Sequence, residues 1–403
     1  MATSGFQING AELTQNWPDR AYLMDRYPEL ADTFKQAGLW VSGLGNNGYL
    51  GTNDNVWRSS PVQTIAGGGN WKLVSAGQYL VASIKTDGTL WTWGQNNHGQ
   101  LGTNNTTARQ SPVQTISAGT DWKVVTCGLD HVTSIKTDGT LWSWGLNDKG
   151  QLGDNSLVKK SSPVQIVGGG TNWKFVSAGI NHVGAIKTNG TLWMWGNDFY
   201  GETGNNNGEF GLAYSSPVQT ISAGTNWRLV SCGWYYTTAI KTDGTLWLWG
   251  RNQYGQLATN NTTNRSSPVQ TISGGTDWKL VSAGKRHVAA IKTDGTLWLW
   301  GSNTYGQLGN NDSGTNRSSP VQTFSAGTNW KIVGAHLGDC TGGIKTDGTL
   351  WVWGANHYGH LGLNTRTAMS TPTQSLSGGT NWKDVENGNG IMMRIRDDSS
   401  DPI

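Results

Sequence analysis

IKTDGTLWLWG stands at Ile240–Gly250 and again, letter for letter, at Ile291–Gly301, and near-copies run along the whole chain. Aligned on the glycine that closes LWxWG, the copies end at Gly94, Gly145, Gly196, Gly250, Gly301 and Gly354, after an imperfect first copy ending at Gly43. The spacings are 51, 51, 51, 54, 51 and 53 residues. A period near 50 with several strand-sized segments per unit is a β-propeller signature, because one four-stranded blade and its turns take about 40–50 residues. Nearly all of the 23 tryptophans in 403 residues are then repeated structure, two in each LWxWG and one in each WK step, such as Trp278 and Trp330, which leaves only Trp17, Trp57 and Trp234.

The composition agrees. A chain with 58 Gly and only 14% charged residues is built from short strands and tight turns, which makes it all-β. The net charge of +3, from 29 basic and 26 acidic residues, is too balanced for a long-range field to select nucleic acid or a membrane surface, so neither is expected as a partner. Cys127, Cys232 and Cys340 are odd in number and far apart, which points to neither a disulfide framework nor a zinc site. The opening MATSGFQINGAEL has no basic-then-apolar signal pattern, and no run of about 18 apolar residues occurs; a soluble chain without a cleaved signal is expected.

Ser267–Gly301 reads as four strands in the order SPVQTI, WKLVSAG, HVAAIK and TLWLWG, with Asp-Gly turning the chain before the last. The small residues of VSAG suit a strand near the crowded axis. Trp298 and Trp300 are two apart, share one face of the sheet, and can fill the gap to a neighbouring blade. The ends of the chain fit closure. LWVSGLGNNGYLG at Leu39–Gly51 is a fourth strand with no first three before it, while TPTQSL, WKDVENG and IMMRIRDD over residues 371–398 are three strands lacking a fourth. Joined, they make a split blade that closes a ring of seven and removes the sheet edge. Residues 1–38 are then a leader and residues 39–403 the propeller.

WGxNxxGQLG, as at Trp93–Gly102, and GxxH, as at Gly179–His182, resemble the regulator of chromosome condensation repeat, over a match running from Leu39 to about Asp398. The resemblance implies a seven-bladed propeller. It leaves function open, because that fold hosts exchange factors, photoreceptors, ligase scaffolds and structural proteins. Photoreceptors of this family place sensing tryptophans in the GxxH loop. Here only Trp234 and Tyr235 match that placement, so an excitonic cluster is not expected.

Repeat architecture absorbs most other candidates. His131, His182 and His287 share one repeat position but belong to different blades, so they read as structural hydrogen bonders rather than metal ligands. Cys127 and Cys232 take the place of Ala283 in VSAG, as small buried hydrophobes. The basic residue ending each third strand (Lys85, Lys136, Lys187, Lys241, Lys292, Lys345 and Arg396) is followed two positions later by Asp in six of the seven units, which reads as a solvated hairpin ring. There is no HExxH, GxSxG or phosphate loop, and Glu12, Glu29, Glu202, Glu209 and Glu386 are the only glutamates. No catalytic residue, metal or cofactor is expected, and the chain is not read as an enzyme.

The repeats differ in their loops. GGTxW and KTDGT turns barely vary and fall on one face, whereas the GxxH loops and the long WG-to-SPVQ loops vary widely and fall on the other. A constant scaffold with varied, aromatic-bearing loops suits recognition. The candidate partner-binding residues are Tyr79, Tyr200, Phe210, Tyr214, Trp234, Tyr235, Lys285 and Arg286. In the leader, Leu23, Tyr27, Leu30 and Phe34 form a helical stripe interrupted at Pro28 and stopped at Gly38, a candidate anchor into a larger assembly.

The leader stretch DRAYLMDRYPELADTFKQAGLW, running straight into the repeats, resembles that of propeller proteins carried by tailed phages of marine bacteria. That resemblance implies a non-enzymatic virion component, such as a capsid decoration, tail or host-contact protein. Its expected partners are other virion proteins, with a host-surface receptor or glycan as a further candidate. Assembly would take place in the host cytoplasm. The competing reading is a cytoplasmic scaffold or a regulator of the guanine-nucleotide-exchange type.

Overall fold

The computed structural model describes residues 7–8, 11–12, 37–65, 70–206, 212–222, 224–324 and 327–397. Seven four-stranded antiparallel sheets form the ring, and a two-residue pairing of Gln7–Ile8 with Ala11–Glu12 lies outside it. Blade 1 takes Trp71–Ala76, Leu80–Lys85, Leu90–Gly94 and Arg109–Gln114, from the axis outward. Blades 2 to 6 repeat the pattern over residues 122–165, 173–219, 227–270, 278–322 and 330–374. Blade 7 combines Trp382–Gly388 and Ile391–Asp397 with Ala37–Gly43 and Arg58–Gln63. The split blade of the sequence reading is present, but the termini share it two strands to two rather than one to three.

The difference comes from the SPVQ strand. It pairs with the LWxWG strand before it (Trp298 with Gln322, Leu299 with Val321, Gly301 with Arg317) and is the outer strand of that blade, not the first of the next. The long connection is held in shape by one asparagine. Asn96 Nδ2 donates to the carbonyls of Asn105 and Thr107, both at 3.0 Å, while its Oδ1 accepts the Leu101 N–H at 2.9 Å. Asn147 and Asn252 repeat the arrangement in their own blades.

The WK strands line the axis, each touching the next around the closed ring. Their small residues serve that contact. The Cys127 N–H donates to Ser75 Oγ, Ala178 N–H to Thr126 Oγ1, Cys232 N–H to Ser177 Oγ, Ala283 N–H to Ser231 Oγ and Ala335 N–H to Ser282 Oγ, all at 2.9–3.0 Å. Gly334 breaks the series, and Asn387 replaces it by donating to the carbonyls of Gly334 and Cys340 at 2.7 and 3.1 Å.

The two tryptophans of LWxWG do different work. The second, as in Trp93, Trp144, Trp195, Trp249, Trp300 and Trp353, is fully buried. Its indole N–H donates to a backbone carbonyl of the preceding blade: Trp144 to Gln100, Trp195 to Gln151 and Trp300 to Gln256, at 2.8–3.0 Å. The ring lies over a glycine of that loop, where a Cβ at Gly102 would stand 2.8 Å from Trp144 Nε1. Blade-to-blade packing is therefore hydrogen-bonded as well as apolar.

The first tryptophan, half-buried, completes the constant face. Asp87 accepts the N–H and hydroxyl of Thr89 (2.9 and 2.7 Å), and Thr89 Oγ1 accepts the Trp91 indole N–H at 2.8 Å. Lys85 Nζ then sits 4.8 Å from the Trp71 ring and 4.5 Å from the Trp91 ring. The same sandwich holds Lys136, Lys187, Lys241, Lys292 and Lys345, and Arg396 takes it in blade 7 between Trp40 and Trp382. The expected solvated ring is instead a ring of cation–π clamps, each cation pressed between two indoles.

Candidate interaction surface

The GxxH loops and the long outer loops lie together on the face opposite the clamps, where the histidines tie neighbouring blades together. His182 Nε2 donates to Thr237 Oγ1 (3.1 Å), which donates to the Glu202 carbonyl (2.9 Å); His287 Nε2 donates to Thr341 Oγ1 (2.9 Å). At the matching place beyond His131 the next blade has Val183, which offers no hydroxyl. Burial pushes His131 and His182 down to about 3 and His287 to about 4. Cys127 and Cys232 are buried and pushed up to about 12 by that burial. Among the described residues no group of His, Cys, Asp and Glu is placed to hold a metal ion.

Above this layer, the loops of blades 3 to 5 bring aromatic and cationic side chains into one chain of contacts. Phe199 and Tyr200 come from the outer loop of blade 3, Trp234 and Tyr235 from the GxxH loop of blade 4, and Lys285 and Arg286 from the GxxH loop of blade 5. Ring centroids are 4.8 Å apart for Phe199–Tyr200, 5.4 Å for Tyr200–Tyr235 and 6.2 Å for Trp234–Tyr235, each edge to face. The Arg251 guanidinium covers Tyr200 and Tyr235 at 5.0 and 5.4 Å. Lys285 Nζ lies 4.2 Å from the Trp234 ring and 3.2 Å from Asp339 Oδ2, and Arg286 bridges Trp234 and Tyr254 at 5.9 and 5.3 Å. Contacts between neighbours on three blades hold these side chains in place before any partner arrives, which lowers the entropic cost of binding. A cleft of about 490 Å³ opens beside them, lined by Asp148, Lys149, Asn181, Phe199, Tyr200 and Tyr235 among others.

Five of the eight candidate residues, Tyr200, Trp234, Tyr235, Lys285 and Arg286, meet in this cluster. Tyr79 does not: it packs edge-on against Tyr49 at 6.1 Å, at the junction of blades 7 and 1. Tyr214 turns toward the core of blades 2 and 3 while Ala213 and Ser215, on either side, line the cleft. Phe210 and the leader residues Leu23, Tyr27, Leu30 and Phe34 lie outside the described residues. Phe199, Arg251, Tyr254 and Asp339 belong to the cluster without having been singled out. Phe199 is the most open to solvent of these, at 47% exposure.

A buried acid underlies the cluster. Glu202 replaces the glutamine of GQLG; its Oε2 accepts the Tyr200 N–H and its Oε1 the Asn197 amide, both at 2.7 Å. In other blades the glutamine carbonyl accepts the equivalent N–H, as Gln100 does from His98 at 2.8 Å. Burial pushes Glu202 up to about 8 and also raises the neighbouring Asp198. The signal was visible: NDFYGETG is the outer loop in which acids replace both the asparagine and the glutamine.

The geometry defines a seven-bladed propeller with one invariant, internally clamped face and one decorated face. Residues 34–342 match the RCC1-like domain and residues 347–393 the regulator of chromosome condensation (RCC1) repeat. The chain belongs to the RCC1-like family. The ultraviolet-B receptor UVR8 of Arabidopsis thaliana is 29% identical over 337 residues, covering 82% of this chain and 76% of the receptor. The human E3 ubiquitin-protein ligase HERC2 is 27% identical over 251 residues, 60% of this chain but 5% of the ligase. Yeast RCC1 (Prp20), in its complex with Kap60, superposes with a TM-score of 0.80 at 15% identity, covering 98% of this chain and 96% of that one; human WBSCR16 gives 0.77 at 20%, covering 89% and 98%. These structures share the fold.

Proposed function

We propose that this chain is a non-catalytic binding propeller that holds a protein partner on the aromatic and cationic cluster of blades 3 to 5, and that it works as a component of a tailed-phage particle, anchored through residues 1–38. The observation that carries the binding role is the stacked set Phe199, Tyr200, Tyr235 and Trp234 with Arg251, Lys285 and Arg286 above them. Tyr, Trp and Arg are the residues that most often dominate protein–protein binding energy, and a cluster ordered in advance supplies them at low entropic cost. Similar structures support a protein partner as well: yeast RCC1 (Prp20) is bound to Kap60 in one, and Prp20p binds Gsp1p and histones.

The virion role rests on the leader, whose sequence resembles that of phage-borne propellers. It places the protein in the particle after assembly in the host cytoplasm, with other virion proteins as partners and a host receptor or glycan as a further ligand of the decorated face. Quantitative proteomics of purified particles tests it: a fixed copy number per particle is expected, with loss of incorporation when residues 1–37 are deleted and the ring still folds. Absence from particles together with capture of a specific GTPase would replace this reading with the cellular exchange-regulator one.

A further inference from the structure

The cleft of about 490 Å³ beside the aromatic cluster is built by loops of three blades and has a chemistry of its own. Asp148 and Lys149 come from the outer loop of blade 2, Asn181 from the GxxH loop of blade 3 and Tyr235 from that of blade 4. Asn197 ends the third strand of blade 3, and Phe199 and Tyr200 open the outer loop that follows. The volume falls within the range of small-molecule sites and has room for about two six-membered rings. The aromatic wall is fixed by its own contacts: Phe199 meets Tyr200 at 4.8 Å and Tyr200 meets Tyr235 at 5.4 Å, both edge to face. Phe199 still stays 47% exposed, so apolar ring surface remains for a ligand to cover.

Gln151 ties the polar groups of two blades together. Its Nε2 donates to Asp148 Oδ1 at 3.3 Å and to Asn181 Oδ1 at 3.4 Å, which uses the carbonyl end of the Asn181 amide and leaves its NH₂ end as a donor. Asn197 is held the other way round: its Nδ2 donates to Glu202 Oε1 at 2.7 Å, leaving Oδ1 as an acceptor. Among the described residues that line the cleft, only Asp148 and Lys149 are charged, and they oppose one another with Lys149 Nζ 4.0 Å from Asp148 Oδ2. Charged groups next to the cleft are engaged elsewhere. Arg251 covers the Tyr200 and Tyr235 rings and donates to Gln253 Oε1; the Glu202 carboxyl accepts from Tyr200 and Asn197, and Asp198 from the Thr203 N–H. The lining therefore offers aromatic surface, both donors and acceptors, and no net charge.

We infer that this cleft is a binding site for the neutral end of a glycan, taking one or two of its sugar rings. The inference rests on the reading that the decorated face accepts a glycan beside its protein partner, and it assigns the place and the class of sugar. An anionic ligand would meet Asp148 and a cationic one Lys149, while a purely apolar ligand would cover the amides and the ion pair without giving them partners. A sugar ring has an apolar C–H face for Phe199, Tyr200 and Tyr235 and, around its edge, hydroxyls that both donate and accept. Those hydroxyls match the donors Asn181 and Lys149 and the acceptors Asn197 and Asp148. A proline-rich peptide also suits aromatic surfaces, but proline lacks an N–H, so it would leave Asn197 and Asp148 without donors. Because the amides and rings are already held by neighbours on three blades, little ordering is left for the ligand to impose.

An array of neutral, sialylated and sulfated glycans probed with the full chain, followed by calorimetry with the strongest-binding free oligosaccharide, tests this. Binding is expected only to glycans that end in a neutral sugar, at one saturable site, and nearly unchanged between about 50 and 200 mM salt because no net charge is neutralised. Phe199→Ala and Asn181→Ala should each weaken it about tenfold or more, whereas Phe324→Ala, which removes the same ring from an exposed position beyond the outer strand of blade 5, should leave it within about twofold. Asp148→Ala, on an exposed loop, gives the same comparison should the Asn181 variant not fold. No binding across the array, binding confined to the sialylated or sulfated members, displacement by decaproline, or equal weakening by the Phe324 and Phe199 variants would overturn the inference. Failure on the array with the chain still cross-linked to a particle neighbour strikes the sugar site alone; sugar binding without such a neighbour upholds the site and removes the protein-partner reading.

Discussion

Arg394 Nη1 lies 3.0 Å from Ser42 Oγ, joining the last strand of the chain to the first strand of the ring. Ser42 occupies the position of the second LWxWG tryptophan, and Arg394 the position held elsewhere by Ser83, Ser134, Ala185, Ala239, Ala290 and Gly343. Large and small have been exchanged across the two strands. The guanidinium takes over the role of the indole: Nη2 donates to the carbonyls of His360 and Leu361 at 3.2 and 3.0 Å, and Gly362 lies against it as Gly102 lies against Trp144. Arg394→Ser alone should destabilise by roughly 3–5 kcal/mol, through the cavity and the orphaned carbonyls. Ser42→Trp alone should overpack, costing about 1–3 kcal/mol or more. Combined, they restore the arrangement of the other blades and should fall well short of the sum. Urea unfolding of the four-member cycle measures the coupling.

The joint under Trp300 should respond in the opposite sense from its siblings. Gly102, Gly153, Gly204 and Gly309 lie under their tryptophans with φ between +61° and +67°, but blade 4 has Ala258 there at φ +54°. A left-handed alanine carries a strain of about 1 kcal/mol that glycine does not. Ala258→Gly should therefore stabilise by about 0.5–1 kcal/mol, and Gly102→Ala should destabilise by at least as much, both read from thermal or urea melts.

Much of this was legible because it repeats. The period and the blade count follow from one motif written many times, whereas the basic residues it repeats read as a solvated hairpin ring and their clamping between two indoles shows only in the fold. The pairing of the SPVQ strand was not legible, because chain distance favours the next blade. Loop length adds little closure cost, and the Asn96-type network fixes the long connection instead. Arg394 and Ser42 are 352 residues apart, so their exchange appears only when the ring closes. Trp234 and Tyr235 stood out as breaks in the GxxH pattern, whereas Arg251 and Phe199 gain meaning only from neighbours on adjacent loops.

Acid and base should act through different residues. Burial pushes His131, His182 and His360 down to about 3 and His287 to about 4, below the unfolded value of about 6.5. The unfolded chain takes up those protons first, so their contribution is complete above about pH 6.5 and is lost as pH falls toward 3–4. Glu202 has the reverse sign. Pushed up to about 8, it keeps a proton in the folded state that the unfolded chain has lost above about pH 4.5, so stability declines as pH rises from there to about 8. Glu202→Gln, the residue used in four other blades, should raise the urea midpoint at pH 8.5 more than at pH 5; an equal shift at both would show that the carboxylate is not the cause.

Binding and stability should separate between aromatic residues on the decorated face. Trp234 and Tyr235 contact neighbouring loops, chiefly Lys285, Arg251 and Tyr200, and are half-buried. Truncating either to alanine removes an anchor from the cluster but no blade-to-blade hydrogen bond, so the melting temperature should move little. If the chain is a particle component as proposed, cross-linking to its neighbour in purified particles should fall about tenfold or more, the effect of removing a dominant interface residue. Tyr79 should behave the opposite way. Its ring packs on Tyr49, whose hydroxyl donates to the Gly77 carbonyl at the closing junction, so Tyr79→Ala should lower stability and leave cross-linking unchanged. Loss of cross-linking in the Tyr79 variant with retention in the Trp234 variant would move the interface to the junction of blades 7 and 1.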